Sequence, residues 1–423
     1  MIIGTATFFD GFDALSIAYV LPVLIRMWKL SPVEIGSIIS IGYIGQLVGA
    51  IFFGWLAERR GRMLSLQLSV LVYTLFSFLA AFSWNYTSLF ILRSFQGLGL
   101  GGEVPVAGAY INEICKAKGR GRFFMLYEMV FAIGIFCAAL TGNIIVPDLG
   151  WRAMFLIGAV PAVLIMAMRW MLPESPRWLA AQGRLAEADR IVTSLETLAR
   201  KGGVELPPVA AVAEVGSRKT RVPELFQGIY RRRTLVVWVI WFASYFAMNG
   251  LQTWLPSLYT KVFGLPVKES LRYGLITQSF CIPASIACAL FIDRTGRRTW
   301  FTGGFLIAGV CMLILWILGA KSAIQVLVLG TCVYASLITI ASGLFLYTPE
   351  IYPTRMRAIA TSIGSAWLRA ASALAPVMVG LIVTHYSLAA VFLIIGIVLL
   401  AGGLITRLFA VETKGCVLED ISP

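Results

Sequence analysis

The sequence predicts an all-α integral membrane protein with 12 transmembrane helices in two pseudo-symmetric six-helix bundles. Composition, the lengths of the apolar runs and an internal repeat predict this fold. Of the 423 residues, 59% are hydrophobic and 13% are charged, and the mean hydropathy is +0.84. A soluble protein of this composition would expose far too much apolar surface.

The apolar runs have the length of membrane-spanning helices, since about 20 residues cross a hydrocarbon core about 30 Å thick. The short alternating segments of a transmembrane barrel are absent from the sequence. Six spans are predicted before a central polar stretch, at 2–26, 35–57, 64–82, 87–112, 123–146 and 151–172. Six more follow it, at 234–260, 272–292, 299–318, 322–347, 358–384 and 388–409.

These spans divide the chain into four parts. The first bundle is predicted at 1–172, a linker at 173–233, the second bundle at 234–410 and a tail at 411–423. Within the linker, apolar residues recur at helical spacing, which predicts a short amphipathic helix lying against the bundle. These residues are Leu185, Ala188, Ile191, Val192, Leu195 and Leu198.

The net charge of +14 comes from bases clustered in alternate loops. The positive-inside rule then predicts a cell-membrane protein with both termini and the linker in the cytoplasm. Topology explains the bases, so we do not expect nucleic acid as a partner. The seven cysteines have no spacing that indicates zinc or disulfides, so we expect them to be packing residues and expect no metal site.

The loops of the two halves repeat each other. "GWLAERRGR" at 54–62 returns as "ALFIDRTGRR" at 289–298, and "NEICKAKGRGR" returns as "PEIYPTRMRA". Equivalent loops at equivalent positions indicate duplicated bundles. We expect these loops to form ion-pair locks that hold one access state, although fixing the topology also explains the bases. The predicted lock residues are Glu58, Arg59, Arg62, Glu113, Arg120, Asp293, Arg294, Arg297, Glu350 and Arg357.

Two aspartates lie inside the first span, in "FFDGFDALSIAYVLP". A buried charge there is costly and is retained for a function. Asp10 and Asp13 are three residues apart, so they lie on nearly one helix face. Two close carboxylates disfavour double ionisation, which makes the pair a candidate proton site. The alternative is that Asp13 pairs permanently with an arginine while Asp10 forms a hydrogen bond.

The fourth span carries Arg93 and Glu103, about 15 Å apart along the helix axis. Each therefore needs another partner. One candidate partner for Arg93 is a polar group on the first span. Glu103 is expected either to bind a proton or to pack against loop bases. The nearby glycines predict close approach of helices rather than a phosphate loop.

Arg369 lies about 12 residues into the eleventh span, near the bilayer midplane, where an unpaired charge is most costly. Its guanidinium can hold a carboxylate through two parallel hydrogen bonds, which predicts an anionic substrate. The alternative is a permanent ion pair with Asp10 or Asp13. In the seventh span, Tyr245, Asn249 and Gln252 have helical spacing and are predicted to present a polar face to a flat substrate.

These motifs resemble the major facilitator superfamily over essentially the whole chain. The "GWLAERRGR" loop matches the family's motif after the second span, whereas its repeat has Ala289 where glycine is usual. "RSFQGLGLGGEVPVAGAYINE" resembles the family's fourth span. "DGFDALSIAYVLP", "GLGLGGEVPV" and "AWLRAASALAPVMVG" together resemble the aromatic-acid:proton symporters and niacin permeases.

The resemblance implies a secondary transporter that imports a hydroxybenzoate-like acid or nicotinate together with protons. It also implies a coupling role for Arg93, beside Asp10, Asp13 and Glu103. The span-seven motif of sugar porters is missing from "WFASYFAMNGLQTWLP", which disfavours a hexose. We expect a monomer in the lipid bilayer, with a small organic anion as substrate and no cofactor beyond the coupling proton.

Two other functions remain open. A proton-driven exporter of drugs or organic cations would fit the fold, but "MVFAIGIFCAALTGNIIVP" lacks the Gly-Pro pair usual in the fifth span of such antiporters. A non-transporting receptor on the same fold would tolerate loss of the buried charges, which are present here. An enzyme is not expected, because the sequence has no catalytic or nucleotide-binding motif.

Overall fold

The computed structural model describes residues 2–114, 120–163, 172–201 and 222–414. The described residues of the first half form six helices, α1 Ile2–Trp28, α2 Pro32–Arg60, α3 Arg62–Ala80, α4 Tyr86–Ile114, α5 Arg120–Leu149 and α6 Arg152–Gly158. The linker contains α7 Pro176–Ala181, α8 Leu185–Lys201 and a 3-10 turn at Val222–Phe226. Within the described ranges, ten helical segments are long and apolar enough to cross a membrane.

The second half forms eight helices, α9 Gly228–Gln252, α10 Leu255–Lys261, α11 Val267–Ser279, α12 Cys281–Thr295, α13 Arg297–Leu318, α14 Ala323–Glu350, α15 Thr354–His385 and α16 Leu388–Phe409. The seventh and eighth predicted spans each contain a short break in the helix, between α9 and α10 and between α11 and α12. Pro256 and Pro283 stand in the first turn after each break, where proline has no N–H to continue the preceding helix.

Glycines bring α2 and α4 together in the first bundle. A Cβ atom on Gly97 would overlap the carbonyl oxygen of Gly42, and one on Gly101 would overlap that of Gln46. On another face of α4, Gly99 packs against the backbone of Tyr73 in α3. The prediction that these glycines permit close helix approach is confirmed.

The linker helix α8 packs its buried face against α7 through Leu179 and Ala188. The indole N–H of Trp178 in α7 donates to the carbonyl oxygen of Glu58 at 2.9 Å. The linker is thus attached to the end of α2 through α7. We refer below to this end of both bundles as the linker side.

Two glutamates that the sequence analysis did not single out cap helices on the linker side. Glu174 accepts hydrogen bonds from the backbone N–H groups of Arg62 and Met63 at the start of α3. Glu412 accepts equivalent bonds from Arg297 and Arg298 at the start of α13. A carboxylate satisfies the unpaired N–H groups there and complements the helix dipole.

A glycine stands immediately before each capped helix. Gly61 and Gly296 adopt φ values of 106° and 91°, a region that residues with a Cβ rarely adopt. A Cβ at either position would also overlap the capping carboxylate. The internal repeat therefore extends beyond the loop motif. In each half, a glycine precedes the helix, and a glutamate distant in sequence caps the start of that helix.

The two bundles meet closely on the side opposite the linker. Gly36 of α2 packs against the backbone of Pro376 in α15, and Gly380 of α15 packs against the backbone of Pro32 in α2. Because each contact places a glycine against a backbone, the two helices approach with no intervening side chain. This face is therefore closed.

Two cationic side chains also join the bundles on that side. Arg26 at the end of α1 donates to the carbonyl oxygen of Leu265 at 3.2 Å. Lys261 at the end of α10 donates to the carbonyl oxygen of Leu30, also at 3.2 Å. These bonds cross the interface in opposite directions and reinforce its closure.

Candidate functional site

The interior of the first bundle contains a buried charged cluster around Asp13. Asp13 is fully buried, and neither of its carboxylate oxygens has a hydrogen-bond partner among the described residues. It faces Gly158 of α6 and Ser77 of α3. The guanidinium of Arg93 in α4 interacts with it electrostatically. The cluster thus holds a carboxylate whose charge is balanced across a helix interface.

Gln96 connects this arginine to the carboxylate. The Nη1 of Arg93 donates to Oε1 of Gln96 at 2.8 Å, while the Gln96 amide nitrogen has no partner among the described residues and lies toward Asp13. Arg93 and Asp13 are therefore close without a direct ion pair. The sequence analysis did not identify Gln96, although its position three residues after Arg93 is a usable signal.

Glu103 is a second fully buried carboxyl group in this bundle. Its Oε1 accepts a hydrogen bond from the hydroxyl of Thr7 at 3.2 Å, and its Oε2 has no partner among the described residues. Asp10 and Asp13 interact with it electrostatically. Its neighbours are thus polar and acidic groups of α1, rather than loop bases.

Asp10 and Asp13 were predicted to share nearly one face of α1, but they face different surroundings. Asp13 points into the first bundle, as described above. Asp10 interacts electrostatically with Tyr43 of α2 and with Arg369 of α15 in the second bundle. Both still interact electrostatically with Glu103, because three residues advance about 300° and so leave the two side chains about 60° apart around the helix axis.

Arg369 is buried, with 8% of its surface exposed. Its Nη1 donates to the hydroxyl of Ser365 at 2.6 Å and to the Ser365 carbonyl oxygen at 3.3 Å. Its Nε has no hydrogen-bond partner among the described residues. The Arg369 guanidinium lies near Asp10 and Tyr245 and interacts electrostatically with the Asp10 carboxyl group. Ser365 therefore fixes one edge of the guanidinium, whereas the Nε–H group donates no hydrogen bond to a described residue.

The predicted polar residues of the seventh span are all buried, and each has different surroundings. Tyr245 stacks on Trp241, with ring centroids 5.6 Å apart and an angle of 11°. Asn249 donates to the hydroxyl of Ser372 in α15 at 2.8 Å. Gln252, with 6% exposed, makes no hydrogen bond to the described residues. Of the three, Asn249 joins α9 directly to α15.

Tyr43 is a site residue that the sequence analysis missed. Its hydroxyl donates to the side-chain oxygen of Asn249 at 3.0 Å and so joins α2 to α9 across the bundle interface. It also interacts electrostatically with Arg93. A tyrosine in an apolar span has the pattern of a core residue, so its sequence context gave no signal of this role.

The predicted locks form ion pairs within each bundle. In the first bundle, Arg62 contacts Glu58 and Glu113, both at 2.9 Å. In the second, Arg297 contacts Asp293 at 2.7 Å and Glu350 at 3.0 Å. The repeat thus extends to matching ion pairs.

The remaining predicted lock residues are in other contacts. The guanidinium of Arg59 lies over the ring of Trp55, 4.6 Å from its centroid. Arg357 donates to the carbonyl oxygen of Tyr352, and Arg294 is exposed. None of these three is in an ion pair with a described residue. The side chain of Arg120 lies outside the described part of the chain.

Comparison with known proteins agrees with this architecture. The family model described as "Sugar (and other) transporter" matches residues 7–423. The chain belongs to this family of the major facilitator superfamily. It is a multi-pass membrane transporter with the 12-helix major facilitator fold, and not an enzyme.

Individual relatives of this protein align with nearly the whole chain. It is 34% identical to the niacin transporter NiaP of Acinetobacter baylyi, over 99% of this chain and 95% of the relative. It is 29% identical to the organic cation/carnitine transporter 7 of Arabidopsis thaliana, over 97% and 90% of the two chains. The solved structure of the E. coli xylose transporter superposes with a TM-score of 0.76 at 19% identity, covering 98% of each chain.

Proposed function

We propose that this transporter imports a small aromatic or heteroaromatic monocarboxylate, nicotinate or a hydroxybenzoate-like acid, together with protons. The observation that carries the proposal is Arg369, which is buried near the middle of α15 with part of its guanidinium unpaired among the described residues. A guanidinium binds a carboxylate through two parallel hydrogen bonds. The relative named as a niacin transporter supports this substrate class.

The buried carboxyl groups support proton coupling. Asp10 and Asp13 both interact electrostatically with Glu103, and close carboxylates disfavour simultaneous ionisation. Uptake of a proton from one side and its release to the other would alter the charge beside Arg93 and Arg369. In this mechanism the proton is the coupling ion, and no other cofactor takes part.

Alternating access would connect these sites to the two sides of the membrane. The bundles are closed on the side opposite the linker, through Arg26, Lys261 and the contact of α2 with α15. With both termini and the linker in the cytoplasm of the cell membrane, this arrangement corresponds to external closure. We further propose that the monomer is the transporting unit.

A second candidate is transport of an organic cation. Three carboxyl groups, Asp10, Asp13 and Glu103, and two arginines, Arg93 and Arg369, are buried inside the bundles, and a cationic substrate would neutralise the excess negative charge of the ionised carboxylates. The similarity to a protein named as an organic cation/carnitine transporter favours this option.

Uptake into proteoliposomes distinguishes the candidates. Labelled nicotinate, benzoate, nicotinamide and carnitine are offered with and without an imposed pH gradient. The proposal predicts accumulation of the acids that depends on an inward proton gradient and is abolished by a protonophore. Equal accumulation after the gradient collapses would contradict proton coupling, and selective uptake of carnitine would favour the second candidate.

A further inference from the structure

Three buried polar side chains near the middle of the membrane have unused hydrogen-bonding capacity. Among the described residues, no partner is found for the hydroxyls of Tyr19 and Tyr334 or for the side-chain oxygen of Gln278. All three side chains are at least nine-tenths buried. Leaving a buried polar atom unpaired costs about 1–3 kcal/mol, so such a group requires an explanation.

These three groups come together from both bundles. The hydroxyl of Tyr19 on α1 lies against Gly274 of α11, where an added Cβ would be 3.0 Å away. Gln278 is one helical turn further along the same face of α11. A hydrogen bond of 3.0 Å between Thr277 and Thr331 fastens α11 to α14 beside it. Tyr334 of α14 is one turn beyond Thr331 and lies near Tyr19.

The same cluster adjoins the carboxylate site. Tyr334 lies near Tyr43 and Tyr245, and Tyr245 lies near Arg369. A charged donor, Arg369, and an uncharged polar group, Tyr334, are therefore both near Tyr245. An aromatic acid has the same polarity, with a carboxylate at one end and a flat ring at the other.

We infer that Tyr19, Gln278 and Tyr334 form an uncharged second pole of the substrate site, which hydrogen-bonds a polar atom on the aromatic ring. Tyrosine hydroxyls donate to a ring nitrogen, and the Gln278 oxygen accepts from a ring hydroxyl. This pole would select heteroaromatic or hydroxylated acids over an unsubstituted ring, because a site with buried polar groups rejects analogues that leave them unpaired. The inference rests on the proposed carboxylate substrate and specifies its ring.

The test measures equilibrium binding of nicotinate and benzoate to the purified full-length protein and to Tyr334→Phe. We expect the wild-type protein to prefer nicotinate. Tyr334→Phe should weaken nicotinate binding about tenfold, the value of one good hydrogen bond, while benzoate binding changes less than about twofold. Removal of a buried, unpaired hydroxyl is compatible with folding, since no internal bond is lost.

Tyr259→Phe is the matched control. Tyr259 is equally buried in the same bundle, and its hydroxyl also has no partner among the described residues. It interacts electrostatically with Tyr273 rather than with the three tyrosines around Tyr334. This variant should bind both acids as the wild type does.

The outcomes separate this inference from the proposed function. Unchanged nicotinate affinity in Tyr334→Phe, or an equal loss for both acids, would overturn the second pole while leaving acid transport intact. The same holds if the wild type binds the two acids equally. Failure of the wild type to bind either acid would overturn the proposed function, and the second pole with it.

Discussion

Tyr43 and Asn249 are joined by a hydrogen bond of 3.0 Å that crosses from the first bundle to the second. On one side Tyr43 interacts with Arg93 and Asp10, and on the other Asn249 binds Ser372 of α15. Polar contacts therefore extend from the buried charges of the first bundle to the helix that carries Arg369. Movement of the bundles about this site must alter the bond.

The first prediction is that Tyr43→Phe shifts the equilibrium toward opening on the side opposite the linker. The bond stabilises the closed arrangement, and one neutral hydrogen bond of about 0.5–1.5 kcal/mol corresponds to about a two- to tenfold change in population. Spin labels at the exposed positions Met27 and Val262, in a cysteine-free background, report the separation of the bundles on that side.

Tyr110→Phe provides the control for this experiment. The Tyr110 hydroxyl also makes a hydrogen bond, but to the carbonyl oxygen of Pro173 within the first half of the chain. Its removal should leave the distance distribution unchanged. Identical distributions for Tyr43→Phe and the wild type would show that the crossing bond has no part in the equilibrium.

The second prediction concerns Asp13, which is buried beside Arg93 without a hydrogen bond to any described donor. Asp13→Asn cannot change charge during the cycle, so it should abolish accumulation against a gradient while substrate exchange continues. Proteoliposomes give both readouts, as proton-driven uptake and as counterflow. Full proton-driven accumulation by the variant would remove Asp13 from the coupling mechanism.

Much of the fold could be predicted because the relevant signals are local. Span lengths and loop bases gave most helices, and the repeated loops gave the matching ion pairs of Arg62 and Arg297. The breaks before α10 and α12 were missed, since a proline in an apolar run also occurs in kinked continuous helices.

The partners of the charged residues could not be predicted in the same way. Gln96, Thr7 and Tyr43 are ordinary residues whose roles depend on which helices pack together. The capping pair was accessible in principle, because "PES" after the sixth span and "VET" after the twelfth each place a glutamate before a hydroxyl residue. A repeat search extended beyond the spans would have aligned Glu174 with Glu412.

The third prediction distinguishes the two partners of Arg62. The Glu113 side chain is 18% exposed, whereas that of Glu58 is 71% exposed. Glu113→Gln should cost about 1–3 kcal/mol because it leaves a buried guanidinium less well paired, and Glu58→Gln should cost less than about 1 kcal/mol. Unfolding of the detergent-solubilised variants measures the difference.

The second bundle provides an internal replicate of this comparison. Glu350→Gln should be more destabilising than Asp293→Asn, because the Asp293 side chain is also largely exposed.

If Glu58 and Asp293 act as locks, their variants should keep near-normal substrate affinity while turnover slows. Loss of binding together with folding would favour a purely structural role.

The last prediction compares Arg369→Lys with Arg369→Ala. Ser365 holds one edge of the Arg369 guanidinium, and the Nε is unpaired among the described residues. A lysine keeps the charge but lacks the planar pair of donors, so both variants should lose affinity for nicotinate. Weak binding of nicotinamide, which carries no negative charge, should survive in both.

The comparison of acid with amide also tests the alternative role of Arg369 as a partner of Asp10. The two groups interact electrostatically in the structure. If Arg369 serves Asp10 alone, Arg369→Ala should reduce acid and amide binding alike, and Asp10→Asn should restore both. If it binds the substrate carboxylate, Asp10→Asn cannot restore the acid, because the missing donors are those that the carboxylate requires. Unchanged nicotinate affinity in a folded Arg369→Ala protein would contradict the carboxylate site itself.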